Sequence, residues 1–223
     1  MAEIPVEKII RSRRRTIGLE VTPAATLIVR VPMRAPAKYI EEIIRQKSSW
    51  ILRKLDEMKR RPVSTCHEYA EGELFFYLGR AYPLHIVENG SMTVERSDRL
   101  YVSGTLISDI RNQLKHWYIE EARKEIHARC MWFSMKTGYV PASVRITDAQ
   151  QRWGSCTSKG GLNFSWRLIQ APPEIVDYVV LHELVHISQP DHSKKFWDKV
   201  RKIMPDYTRR RKWLRENEQL LKI

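Results

Sequence analysis

Residues 179–197 read VVLHELVHISQPDHSKKFW, and this stretch decides the fold. On an α-helix, positions i and i+4 lie one above the other on a single face. His182 and His186 therefore aim two imidazoles at one point, and Glu183 brings a carboxylate beside that point rather than onto it. This is the mechanical content of H-E-x-x-H: two metal ligands and a general base within one helical turn. A catalytic zinc takes three protein ligands and keeps its fourth position for water. Pro190 disfavours helix at Gln189, so the chain can turn back and bring His192 over the same face, giving H-E-x-x-H-x5-H. A metzincin would carry a helix-breaking glycine where Gln189 stands. A downstream glutamate could supply the third ligand instead, but Glu216 and Glu218 lie in a highly charged terminal segment that reads as solvated surface. The competing reading is an ordinary buried helix around Leu181, Leu184 and Val185. Such a helix rarely tolerates a glutamate like Glu183 unless it is paired or functional. His67, His85, His116 and His127 are isolated and read as structural or surface residues.

Working outward, Pro172 and Pro173 open the helix that carries the motif, since proline suits a first turn, and Pro190 stops it. Ser193 or Asp191 can cap a second helix, SKKFWDKVRKIM. A last basic helix covers about 207–221. Upstream, SVRITD, the segment around RWGSC, and GLNFSWRLI read as three short strands. A long helix is expected over roughly 106–136, with an apolar stripe from Ile107 to Phe133, ended by Gly138 and Pro141. Residues 1–105 read as β-rich and crossed by one helix. Two alternating runs, Ile17–Val21 and Leu27–Val31, flank the turn VTPAAT as a hairpin. A helix follows from Lys38 to about Arg61–Pro62. Further strand pieces lie around Gly79–Arg80 and across Ser97–Asp98. These elements predict an α+β chain: an N-terminal β-rich region over 1–105, then a catalytic domain over 106–223 in which the motif helix packs on a small sheet.

Composition sets bounds. In 223 residues, 43% hydrophobic content supports a packed core and excludes a disordered chain. No run approaches the roughly 18 apolar residues of a membrane span, and the start MAEIPVEKIIRSRRRT has the wrong order for a secretory signal. Cys66, Cys130 and Cys156 are odd in number and form no CxxC, which points to a reducing, cytoplasmic setting. Lys and Arg exceed Asp and Glu by 13, partly in clusters at 11–15, 59–61 and 208–212. Such an excess suits an anionic partner, nucleic acid or nucleotide, or else a basic solvated surface.

RWGSC at Arg152–Cys156, SKGGLNFSWRLI, APPEIVDYVVLHELVH, DHSKKFW and MPDY together resemble the YgjP-like metallopeptidases, relatives of the SprT-like and WLM zinc peptidases. The resemblance is specific from about 143 to 207, and RSRRRTIGLEV near the N-terminus is similar to the same family. It implies a zincin-like fold, one zinc ion on His182, His186 and His192, and Glu183 as catalytic base. Gln150–Gln151, Ser165 and Gln189 depart from the family's usual residues; none is a ligand, so they bear on substrate preference.

The chemistry expected is metal-assisted hydrolysis of a peptide or protein substrate, with no membrane partner. Tyr207, Arg152 and backbone amides are candidates to stabilise the oxyanion; for Tyr207 the alternative is a packed aromatic. The strand around Phe164 could offer an edge to an extended peptide, or Phe164 and Trp166 could simply pack inward. Trp153 and Trp197 are expected around the motif helix, and Gly154 at a close backbone approach. Cys156 could be a latent fourth ligand or a small buried thiol. Two other readings compete: hydrolysis of a nucleoside triphosphate at the phosphoanhydride, and a DNA-associated SprT-like protease or binding module.

Overall fold

The structure, a computed structural model, describes residues 4–22, 24–59, 67–87, 94–104 and 106–221. Pro23, Arg60, Arg61, the helix end expected at Arg61–Pro62, and Cys66 lie outside the described residues.

The chain divides into two compact units, Met1–Val63 and Ser64–Ile223. The sequence reading drew its line after residue 105 instead. The strands between the two boundaries belong with the second unit because their inward side chains, Phe75, Tyr77, Leu84, Leu100 and Val102, are buried in the same core as the long helix and the motif helix. Alternation in those strands shows that one face is buried, but not against what.

In the first unit, β2 (Gly18–Val21) and β3 (Leu27–Pro32) form the expected antiparallel hairpin. An additional strand, β1 (Val6–Ser12), pairs parallel to β3 and makes the order β1-β3-β2. β1 is mostly exposed, so no apolar alternation marks it in the sequence. The helix expected from Lys38 is two helices, α1 (Ala37–Gln46) and α2 (Ser48–Lys59), divided at Lys47. Ser48 and Ser49 follow that break, and serine competes for backbone hydrogen bonds within helices. Leu27, Val29 and Val31 bury fully against Ile40, Ile51 and Leu55.

The second unit is α+β. β4 (Leu74–Tyr77) and β5 (Arg80–Val87) form a hairpin through Leu78 and Gly79, both at positive φ (46° and 76°), the geometry of a tight hairpin turn. β6 (Glu95–Arg96) and β7 (Leu100–Ser103) complete a sheet of order β4-β5-β7-β6. Helix α3 (Ile107–Thr137) buries one stripe from Ile110 to Phe133 and ends on Gly138 in the left-handed conformation. β8 (Ser143–Thr147), β9 (Gly154–Cys156) and β10 (Gly161–Ser165) form the second sheet in the order β8-β10-β9. The strand expected to continue through GLNFSWRLI stops at Ser165 and becomes a buried 3-10 helix, Trp166–Gln170. Helix α4 (Pro173–His186) carries the motif, α5 (Lys194–Ile203) follows it, and α6 (Tyr207–Glu216) is shorter than expected because residues Glu218–Leu221 form a separate 3-10 turn.

Asp148 ties the end of β8 to this 3-10 helix. It accepts hydrogen bonds from Arg167 Nη1 (2.6 Å), Lys115 Nζ (2.7 Å) and Trp166 Nε1 (2.8 Å). Burial opposes its ionisation, but these three donors prevail and hold the carboxyl down at about 2. Arg167 is buried, so removing its partner leaves an uncompensated charge. Because Asp148 itself is half exposed, we expect Asp148→Asn to cost about 1–3 kcal/mol, below the full buried-pair value. A group with depressed folded pKa stabilises above its unfolded value, near 3.8, and that contribution fades as pH falls toward 2. The melting-temperature difference between wild type and Asp148→Asn should thus be full at pH 6 and shrink below pH 4.

Candidate metal centre

Helix α4 is buried on nearly every side: Ile175, Val176, Val179, Val180, Leu181, Leu184 and Val185 all lie within the core. Tyr178, His182 and His186 follow one another along one face at intervals of four: Tyr178 is buried, while His182 and His186 are half-buried at a cleft. Past α4 the chain turns at Pro190. Asp191 Oδ1 accepts hydrogen bonds from the Gln189 amide (2.8 Å) and from Ser193 N (3.1 Å), which fixes the turn. The turn sets His192 opposite the helix, with its Nε2 2.9 Å from that of His182 and 3.2 Å from that of His186. Phe196 of α5 forms the floor, with ring centroids 4.8, 4.5 and 4.9 Å from those of His182, His186 and His192. Trp197 stacks on His192 at 5.6 Å and on Tyr207 at 5.2 Å.

This arrangement fits a cation. Among the described residues, His182, His186 and His192 form the one group of three or more metal-ligating side chains whose donor atoms converge. His186 Nδ1 lies 3.0 Å from the Gln189 carbonyl, which can only accept. The proton is therefore on Nδ1, and the Nε2 lone pair faces the other two rings. Three imidazole nitrogens about 3 Å apart cannot satisfy one another with the protons they have. Ligands at 2.0–2.1 Å around a tetrahedral ion would be about 3.3 Å apart, close to the spacings seen. Burial, followed by the charges of His186, His192 and Arg211, pushes His182 down to about 3, so it stays neutral and able to ligate at physiological pH. His182 Nδ1 is buried without a hydrogen-bond partner among the described residues.

Glu183, next along α4, lies on the flank of the same cleft, against Gly154 of β9. A Cβ on Gly154 would lie 2.6 Å from both Glu183 Cγ and Oε1, so only glycine lets the strand pass this closely. Burial pushes the Glu183 carboxyl up to about 7, against the pull of the Arg152 charge. A cleft of 530 Å³ runs between α4 and β9, bordered by Gly154, Ser155 and Cys156 on one wall and by His182, Glu183 and His186 on the other.

The remaining sequence candidates fall differently. Arg152 is exposed, its charge felt at Glu183. Phe164 is fully buried on the central strand of its sheet, so it is a core residue and not a substrate contact. Both edges of β10 are already paired, with β8 and with β9; the outer edges of the sheet are those of β8 and β9, and β9 is the one that borders the cleft. Tyr207 is buried and stacked on Trp197, the packed-aromatic alternative. Cys156 lines the cleft but lies outside the convergent set, its thiol pushed up by burial and by Glu183. Glu216 pairs with Lys212 at 3.8 Å, and neither it nor Glu218 joins the histidines. Sequence reasoning missed Phe196 and Tyr178. The i−4 spacing of Tyr178 from His182 was the available signal.

The raised Glu183 carboxyl has a cost in the metal-free protein. An acid whose folded pKa (about 7) exceeds its unfolded value (4.5) destabilises increasingly as pH rises from 4.5 to 7. Metal-free Glu183→Gln should therefore be more stable than metal-free wild type at pH 8, by up to about 3 kcal/mol, with the gap closing below pH 4.5. Chemical denaturation across that pH range measures it.

No curated protein and no solved structure matches the chain. A family model described as YgjP-like, metallopeptidase domain, matches residues 15–217. That match spans nearly the whole chain and includes every residue of the convergent site. With two histidines on one helix, a third brought over them by the following turn, and a buried glutamate beside them, the chain belongs to the YgjP-like metallopeptidase domain family, hydrolases of the metallopeptidase type.

Proposed function

We propose that this chain is a zinc peptidase. His182, His186 and His192 would hold one zinc ion, and Glu183 would serve as general base, acting on a peptide laid in the cleft between α4 and the outer edge of β9. The observation that carries this reading is the convergence of three Nε2 atoms beside a buried carboxylate in an open cleft. Three imidazoles favour zinc over harder divalent ions. Bound there, zinc would supply a Lewis acid that lowers the pKa of a water and polarises the target carbonyl.

This chain's own residues do the rest. Glu183 takes the water proton and later delivers it to the leaving amine; a proton affinity near neutrality suits both steps. Gly154 lets the carboxylate stand close to β9, where the scissile bond would lie. The free edge of β9 can pair with an extended substrate by main-chain hydrogen bonds, which hold a peptide without regard to most of its side chains. Arg152, whose charge is felt at Glu183, is the candidate to steady the developing oxyanion, together with backbone amides. Tyr207 has no part in this because its ring is packed away. Among the described residues, Cys130 and Cys156 are free thiols, which suits a reducing compartment such as the cytoplasm. Among the described residues, no helix is long and apolar enough to cross a membrane.

A panel of unfolded proteins, short peptides, nucleoside triphosphates and single-stranded DNA tests the reading against its competitors. We expect peptide cleavage that depends on about one zinc per chain by metal analysis. Glu183→Gln should keep the metal and lose about 10²–10⁴ in kcat. Gly154→Ala should also keep the metal but lose about 100-fold by displacing that carboxylate. His192→Ala should bind zinc about 100-fold more weakly or worse. Full activity in Glu183→Gln, or triphosphate hydrolysis with no peptide cleavage, would overturn the assignment.

A further inference from the structure

A second cleft, of 560 Å³, lies toward the N-terminal end of the α4 face that carries His182 and His186. Tyr178, one turn before His182, and Trp153, the residue preceding β9, both border it. It therefore adjoins the metal cleft along both walls, the helix and the strand. Its character differs from that of the metal cleft. Arg211, Lys212 and Arg215 of α6 line it, against the single carboxylate of Glu218. The Arg211 guanidinium lies over the ring of Trp197, 4.8 Å from its centroid, and Trp197 in turn stacks on His192. Arg211 makes no ion pair with a carboxylate among the described residues, while Lys212 is only loosely paired with Glu216 at 3.8 Å. An exposed arginine held over an indole is positioned yet still has donors to offer an anion.

We infer that this basic cleft is a specificity subsite, which selects peptides bearing a carboxylate on the C-terminal side of the cleaved bond, with Arg211 as the reading residue. The inference rests on the peptidase reading. Its direction follows from charge. β9 runs from the Trp153 end toward Cys156, so a peptide paired antiparallel to it runs toward Trp153 and carries its C-terminal part into the basic cleft. A parallel peptide would bring its N-terminal part there, and a free α-amine would meet three cations. An acidic side chain could reach Arg211 in either orientation, but only the antiparallel one also brings a terminal carboxylate there and keeps a free α-amine away from the cations. The strand edge, which reads no side chains by itself, thereby gains a selective end.

The test uses the zinc-loaded Glu183→Gln full-length chain, so binding is read without turnover. Tryptophan fluorescence would follow binding of three acetylated tetrapeptides: Ala-Phe-Ala-Gln amide, Ala-Phe-Ala-Glu amide and Ala-Phe-Ala-Gln free acid. We expect one or both charged peptides to bind about tenfold more tightly than the neutral one, the two charged arms distinguishing side chain from terminus. Adding Arg211→Met should bring the ratio within about twofold, Arg211→Lys should restore part of it, and 0.5 M salt should reduce it. Equal affinity for all three peptides, or a preference that survives Arg211→Met, overturns the inference. The two proposals fail separately. If wild type cleaves no peptide but the charge preference and its Arg211 dependence persist, the peptidase reading falls and the anion subsite stands. If wild type cleaves neutral and acidic peptides equally well, the subsite falls and the peptidase reading stands.

Discussion

Everything in the second unit is arranged around one buried helix. α4 is apolar on nearly all sides and is packed among α3, α5, α6, the 3-10 helix and β9. Such a helix can carry polar side chains only where a cleft reaches it or where another group satisfies them. His182 and His186 stand where a cleft does. Glu183 stands where β9 passes, and there the absence of a side chain at Gly154 makes the room. The rigidity that makes the helix a poor host for polar residues also makes it a precise mount for them. His182, His186 and Glu183 are fixed by the core rather than by flexible loops.

The third histidine is held by different means. His192 sits in a turn, not on a packed helix, and its position comes from Pro190, from the hydrogen bonds of Asp191, and from the aromatic floor of Phe196 and Trp197. That floor is apolar and dense. It keeps His182 neutral by burial and hands the stack on to Tyr207 and Arg211. The aromatic residues thus connect the three histidines to the basic end of α6. The three histidines have an asymmetric setting: a strand edge on one flank, and a separate cleft lined by cations of α6 one turn away along α4.

The local motif was readable because its logic is periodic. H-E-x-x-H needs only 3.6 residues per turn to place two rings together and a carboxylate beside them, and α4, α3 and the short strands of 143–165 fall where amphipathic spacing and proline or glycine boundaries put them. Where the reading diverged, packing decided. β1 has an exposed pattern and forms only because β3 offers an edge. The run through GLNFSWRLI turns from strand to 3-10 helix at Ser165, where Trp166 and Arg167 meet Asp148 from a distant part of the chain. The strands of 74–103 join the second unit because of the helices they cover, which alternation along a strand does not record.

The sequence by itself determined the chemistry available: three imidazoles, one carboxylate, a glycine before Ser155, and a strong excess of positive charge. It also determined that two of those imidazoles must meet, since their spacing is local. Only the tertiary structure decided that Phe164 belongs to the core, that β9 and not β10 presents an open edge, and that Arg211, nineteen positions beyond His192, lies over Trp197, which stacks on His192. The physical reason is the same in each case. Helical periodicity is written in neighbouring residues, whereas strand order and the packing of α6 are set by contacts between residues far apart in the chain.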